Sequence, residues 1–406
     1  GDSSTGDSST GDDSTTTSST TSTTGTSTTA PANTDLPKVG HVFVVALSTT
    51  SYTNAWSNAS QAPYLRSLRA KGTLLSGYGS LGKGELADYL AMVSGQPPDA
   101  DTAAGCTTFA EFPSNTAAKA DGLVPGDGCV YPETALTIGD QVSAGGHEWK
   151  AYIDGLGSQT CVHPNSDAVD DVALPGTDPG YDTRHNPFIY FHSLLDLGDC
   201  ATDDQDLTKL GPALDHAGRT ATFSYIAPGG CDDAAAAAGD AMPGEEAPTT
   251  PTTTTSSSTS TTSTTTTSTS TSTSTSTSTS TGTTSTGTTT APAAATPTST
   301  MCPAGQHAGI AAENAFLAQW VPKILGSAAY RHNGVLVIAF ARAGTASGGD
   351  KRTGALVLSR YAHGGKVVSA TYGPYSLLRS VEDMLGYDPL ADAKSAKSFA
   401  AAVLHK

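Results

Sequence analysis

The sequence predicts an α/β fold with a mostly parallel central sheet and helices on both faces. Three observations carry this. Residues 41–47, HVFVVAL, form an unbroken run of β-branched and aromatic apolar residues, too short for a helix, as a strand buried on both faces requires. Similar short runs recur at 149–153, 221–227, 334–340 and 355–359. Between them lie segments with helical spacing of apolar residues, and strand alternating with helix is the pattern of a sheet covered on both faces.

Taken in order, residues 62–70 read as a short amphipathic helix with Tyr64, Leu65 and Leu68 on one face. Residues 85–93 read as another, carrying Leu86, Tyr89, Leu90 and Val93. Helical patterns follow at 135–142 and 207–216, each leading into a strand. Ile310, Phe316, Leu317, Trp320 and Val321 predict a helix that Pro322 bends or restarts. Helices are expected again at 376–385 and 393–404. The first strand is expected to end in a polar turn at Ser48-Thr49-Thr50-Ser51. Ligands of open α/β sheets bind at the carboxyl ends of the strands, so chemistry is expected to begin at Ser48 and Thr49.

Composition divides the chain. Residues 1–36, opening with GDSST-GDSST, are almost free of apolar residues and read as a flexible tether. Residues 37–406 read as one domain, interrupted at 234–300 by a low-complexity Thr/Ser insertion. The insertion has the composition of stalks that carry O-linked sugars. With 21 Lys and Arg against 38 Asp and Glu, the net charge is −17, which argues against nucleic acid and anionic membranes as partners. No segment is apolar for long enough to span a membrane. No GxSxG elbow, P-loop or HExxH is present. The six cysteines Cys106, Cys129, Cys161, Cys200, Cys231 and Cys302 show no CxxC spacing, so disulfides of an exported protein are expected rather than a zinc site. The chain starts at Gly1 rather than Met. An extracellular or cell-envelope location follows as the expectation, with a lipid anchor upstream of Gly1 as one mode of attachment.

Nine segments then follow one another in a familiar order: HVFVVALSTTSY, APYLRSLRAKGTLLSGY, GKGELADYLAMVSGQPP, TIGDQVSAGGHEWKAY, DTRHNPFIYFHSL, FSYIAPGGCDD, FLAQWVPKIL, NGVLVIAF and YSLLRSVEDMLG. Together they resemble the bacterial phosphoesterase family of acid phosphatases and phosphatidylcholine-type phospholipases C. The resemblance implies an alkaline-phosphatase-like α/β fold. It also implies metal-dependent ester hydrolysis, with carboxylates, Asn and His at strand ends holding a divalent ion.

The ligand positions depart from that pattern. Where the family reads Glu-Asn after its first strand, this chain has Ser48-Thr49. The family's Gly-His-x-Ser-Leu appears as Gly82-Lys83-Gly84-Glu85-Leu86. Its Asp-Gly-His-Asp is represented by Asp233, Ala234, Ala235 and Ala236, its Asp-Glu by Ala341-Arg342, and its Asn-His by Gly373-Pro374. Hydroxyls, alanines and cations do not supply the oxygen donors that Mg²⁺, Mn²⁺ or Ca²⁺ require. The expectation is a catalytically inactive homologue without a cofactor, acting as an exported surface or binding module for a phosphate-containing or glycan ligand. Lys83 and Arg342 either keep an anion site in the metal's place or are solvent-facing replacements.

Two alternatives stay open. One is an active phosphoesterase with a divalent metal and a rearranged site built from Glu85, Asp88 and Asp233. The other is a glycosylated cell-surface spacer. His185, within Arg184-His185-Asn186-Pro187, is the family-like polar motif that remains, either as a phosphate contact or proton donor or as a histidine held by the backbone. The resemblance and the order of the cysteines imply the pairs Cys106–Cys129, Cys161–Cys200 and Cys231–Cys302.

Overall fold

The computed structural model describes residues 35–57, 60–170, 174–231, 309–344 and 350–406. The expected insertion, most of the expected tether, Asp233, Ala234, Ala235, Ala236 and Cys302 lie outside the described residues.

Eight strands form one sheet: β1 (His41–Thr49), β2 (Thr73–Tyr78), β3 (Trp149–Ile153), β4 (Asp204–Asp206), β5 (Phe223–Ala227), β6 (Gly334–Arg342), β7 (Ala355–Ser359) and β8 (Val367–Tyr372). Their spatial order is β4-β3-β5-β1-β6-β7-β2-β8. Only β7 runs antiparallel to its neighbours, β6 and β2. β1 lies between β5 and β6 and pairs with both in parallel, which explains its continuous apolar sequence. Alternate β1 residues feed two cores. Val42, Val44 and Ala46 pack with the helices Glu85–Ser94, Ile138–Ala144 and Pro374–Leu385, through Leu86, Tyr89, Ile138, Val142, Leu377 and Leu378. Phe43, Val45 and Leu47 pack on the opposite side with Leu65, Leu68, Phe316, Leu317 and Trp320 of the helices Pro63–Leu68 and Ile310–Gly326. The α/β architecture with helices on both faces is thus as the sequence predicts.

Several elements differ from expectation. β1 runs through Ser48 and Thr49 instead of turning there, because Thr49 still pairs with Arg342 of β6. Pro322 neither ends nor restarts its helix, which continues from Ile310 to Gly326 with Trp320, Val321 and Ile324 buried around it. The expected helix at 393–404 is instead a 3₁₀ turn at Ala391–Lys394 and one short helix, Ala400–Val403.

Cys106–Cys129 and Cys161–Cys200 are disulfide-bonded, as implied by the resemblance. No described cysteine is free. Among the described residues no helix is long and apolar enough to cross a membrane.

Candidate functional site

The parallel strands end on one edge of the sheet, where β1, β2, β5, β6 and β8 deliver Thr49, Tyr78, Ala227, Arg342 and Tyr372. The helix Glu85–Ser94 starts at this edge. Gly84 is its N-cap, with φ +114°, and a Cβ there would lie 2.6 Å from the Ala103 carbonyl oxygen. Only glycine meets both demands. Gly84→Ala is expected to cost about 1–3 kcal/mol of stability, read as a lowered urea midpoint; an unchanged midpoint would refute the strain argument.

Glu85 and Asp88 occupy the first turn of this helix, where the partial positive charge of the helix end favours carboxylates. Both are buried. Tyr89 donates its hydroxyl to Glu85 Oε1 at 3.2 Å, and His185 Nε2 lies 3.7 Å from the same oxygen. His185 Nδ1 is 2.8 Å from the Pro228 carbonyl oxygen, which can only accept, so Nδ1 carries a proton. The backbone-held role and the contact with an acid therefore coincide in one residue. The Tyr89 and His185 rings meet edge-on at 5.6 Å.

Asp88 Oδ1 accepts the Leu81 N–H at 2.8 Å, while Oδ2 is buried without a hydrogen-bond partner. Burial pushes this carboxyl well above the usual range and Glu85 adds to the rise; the Leu81 N–H, Lys351 and Arg342 oppose it. Lys351 Nζ is bonded to the Leu81 carbonyl oxygen at 2.9 Å. Tyr78 and Tyr225 also bury hydroxyls without a hydrogen-bond partner. Burial raises both phenols far above their usual range, with Asp88 adding to the effect at Tyr78 and Glu85 at Tyr225.

The remaining sequence-derived positions are dispersed along the edge. Ser48 donates its N–H and its hydroxyl to Glu313 Oε1, at 2.9 and 3.2 Å. Thr49 Oγ1 is buried without a hydrogen-bond partner. Ala341 is buried in the core, Arg342 is half-buried and Lys83 is exposed. The second cation that opposes the rise at Asp88, alongside Arg342, is thus Lys351, which the sequence did not single out. Gly373 and Pro374 start the helix Pro374–Leu385 and help line a cavity of about 320 Å³ with Gly79, Ser80, Tyr375 and Lys397. His192, which has no evident partner in sequence, bridges Glu111 at 2.8 Å and Asp196 at 3.1 Å.

The described residues do not fit a divalent cation. Arg342 and Lys351 bring positive charge, and Ala341, Gly373 and Pro374 offer no side-chain donor. Among the described residues no three His, Cys, Asp or Glu side chains are grouped to hold a metal. Structure brings Glu85 to His185, with Asp88 in the same first helical turn, and ties Ser48 to Glu313.

Glu313 and Asp182 are the acids that sequence reading passes over. Glu313 falls on the helical stripe shared by Phe316, Leu317 and Trp320, and a carboxylate on an apolar stripe is the signal that marks it. Asp182 holds Arg184 Nε at 2.9 Å. Burial works against its charge, but Arg184 and His185 outweigh burial and keep the carboxyl below the usual range.

No family model matches the chain, and no curated protein matches it. Solved structures similar to it include an alkaline phosphatase superfamily protein from Vibrio parahaemolyticus, 10% identical with a TM-score of 0.48, covering 91% of this chain and 72% of that one. The PsFucS1 sulfatase from Pseudoalteromonas sp. is 9% identical with a TM-score of 0.46, covering 91% and 72%. The lipoteichoic acid synthase LtaP from Listeria monocytogenes is 9% identical with a TM-score of 0.46, covering 90% and 79%.

Proposed function

We propose that this chain is a catalytically silent homologue of the metal-dependent phosphoesterases that works as an exported binding module. The observation that carries this reading is the exchange of charge at the strand ends: Arg342 ends β6 where the resemblance implies an acid, and Lys351 Nζ sits on the Leu81 carbonyl oxygen beside the Leu81 N–H that Asp88 accepts. A cationic edge without a ligand set retains the capacity to hold a phosphate-bearing or glycan ligand while losing the Lewis acid that hydrolysis needs. The Thr/Ser-rich segments at 1–36 and 234–300 serve in this reading as tether and stalk, and the disulfides suit an oxidising compartment.

The contact of His185 with Glu85 favours a second reading, a hydrolase with a rearranged site, because a buried acid beside an imidazole is a proton-transfer pair. Metal content and turnover decide between them. Purified protein is expected to bind no stoichiometric Mg²⁺, Mn²⁺ or Ca²⁺ and to leave p-nitrophenyl phosphate and bis-p-nitrophenyl phosphate intact with any of these ions added. Stoichiometric metal, with turnover abolished by Glu85→Gln or Asp88→Asn, would establish the rearranged enzyme instead.

A further inference from the structure

A second charged region lies at the opposite end of the sheet. Residues 36–84, 351–381 and 393–406 contain no Asp or Glu, in a chain whose net charge is −17. The fold joins parts of all three. β2 pairs with β8, and Leu74 donates its N–H to the Lys366 carbonyl oxygen at 2.9 Å. Gly365 N–H reaches the Arg69 and Gly72 carbonyl oxygens, each at 3.0 Å. Lys366 Nζ donates to the Ala402 carbonyl oxygen at 2.9 Å, bringing in the last helix. An open cavity of about 340 Å³ results, lined by Arg66, Arg69 and Lys366 with Ser67, and no lining residue is acidic.

We propose that this cavity binds a tetrahedral oxyanion, a phosphate or sulfate group, through Arg66, Arg69 and Lys366. Arg69 and Lys366 are oriented by backbone carbonyls: Arg69 Nη1 is bonded to the Trp56 carbonyl oxygen at 3.0 Å, as Lys366 is to that of Ala402. A carbonyl positions a cation without cancelling its charge. Guanidinium groups present forked donors that match phosphate and sulfate oxygens, and the ammonium adds a point charge. His405, whose ring lies 4.8 Å from that of His363, reports the local field. Its pKa is pushed down, by slight desolvation and then by the positive charges of Lys366 and His363. Lys71 is a basic residue of the same end that does not line the cavity, and so separates a built site from a diffuse basic surface. The proposal is independent of either reading of the candidate site, which lies at the other edge of the sheet.

Calorimetric titration of the full chain with inorganic phosphate, inorganic sulfate and pyrophosphate at low ionic strength tests it. Saturable binding is expected for the wild type. Arg69→Gln and Lys366→Gln should each weaken it about tenfold or more, as the loss of a charge-assisted contact does, while Lys71→Gln leaves it unchanged. Should Arg69→Gln fail to fold for want of its bond to Trp56, Arg66→Gln and Lys366→Gln carry the comparison. Three results would overturn the proposal: no binding by the wild type, equal weakening by Lys71→Gln, or loss in Arg342→Gln alone.

Discussion

The thermal midpoint of this protein is expected to fall as pH rises from about 4 to about 8, and the double substitution Asp204→Asn, Glu382→Gln to flatten that fall. Asp204 is fully buried; its Oδ2 accepts from Asn186 Nδ2 at 2.8 Å and Cys161 N at 3.1 Å, and Oδ1 has no hydrogen-bond partner. Burial pushes its carboxyl from 3.8 to about 7 against the pull of those two donors. Glu382 takes the Leu390 N–H at 2.8 Å on one oxygen, while its other oxygen and Gln141 Oε1 lack hydrogen-bond partners. Burial pushes it from 4.5 to about 8, opposed by the Leu390 N–H and Arg379. A proton on Glu382 supplies a donor in this oxygen-rich spot.

Both folded-state values lie above the unfolded ones, so between them the folded chain binds more protons than the unfolded chain. Raising pH therefore favours unfolding. Stability from each group is complete below the unfolded value, near 4, and is lost as pH passes through the folded value, about 7 for Asp204 and about 8 for Glu382. The loss is on the order of 4 kcal/mol per group, since each pKa unit is worth about 1.4 kcal/mol. Asp182 acts in the opposite sense. Arg184 and His185 hold its carboxyl low against burial, so its contribution is present above the unfolded value and fades as acid protonates it. Maximum stability is thus expected on the mildly acidic side, at about pH 4–5. Equal midpoints at pH 5 and pH 8 for the wild type, or an unflattened profile for the double variant, would contradict this account.

Legibility in the sequence follows burial on two faces. β1 and β6 are apolar on every residue that meets the two cores, and both stand out as continuous runs. β2 and β8 do not. β2 is interrupted by Ser76-Gly77, and β8 is an edge strand whose exposed and half-buried residues alternate, so neither reads as a core strand. At 393–404 the Ala- and Lys-rich composition favours helix, but Phe399 N–H is captured by Ser380 Oγ at 2.8 Å and Ala391 adopts φ +35°. Tertiary contacts override propensity there.

The same contrast governs the candidate site. Departures from the ligand pattern that the resemblance implies were visible position by position, because they need only residue identity. The Glu85–His185 contact was not, because it joins residues 100 positions apart through packing of the helix Glu85–Ser94 against the turn Thr183–His185. Lys351 escaped notice for a related reason: β7, the reversed strand, brings its chain entry to the edge where the parallel strands end.

Glu313→Ala is expected to destabilise the protein by about 2–4 kcal/mol, with Glu313→Gln recovering most of the loss. Glu313 is fully buried, and one of its oxygens accepts both the backbone N–H and the hydroxyl of Ser48. Truncation removes that acceptor from two donors in a dry environment and leaves a void beside Phe316 and Leu317, neighbours on its helix. Glutamine keeps a carbonyl oxygen for the pair and fills the same space. Ser48→Ala removes one of the two donors and should cost about 1 kcal/mol. The ordering Glu313→Ala worst, Ser48→Ala intermediate and Glu313→Gln mildest, measured as urea midpoints at constant slope, distinguishes an acceptor role from simple packing. A Glu313→Gln protein as unstable as Glu313→Ala would refute the acceptor role and leave the charge itself as what matters. The consequence for Ser48 is one of direction: its N–H and its hydroxyl hydrogen both go to Glu313, so its hydroxyl meets any ligand only as an acceptor.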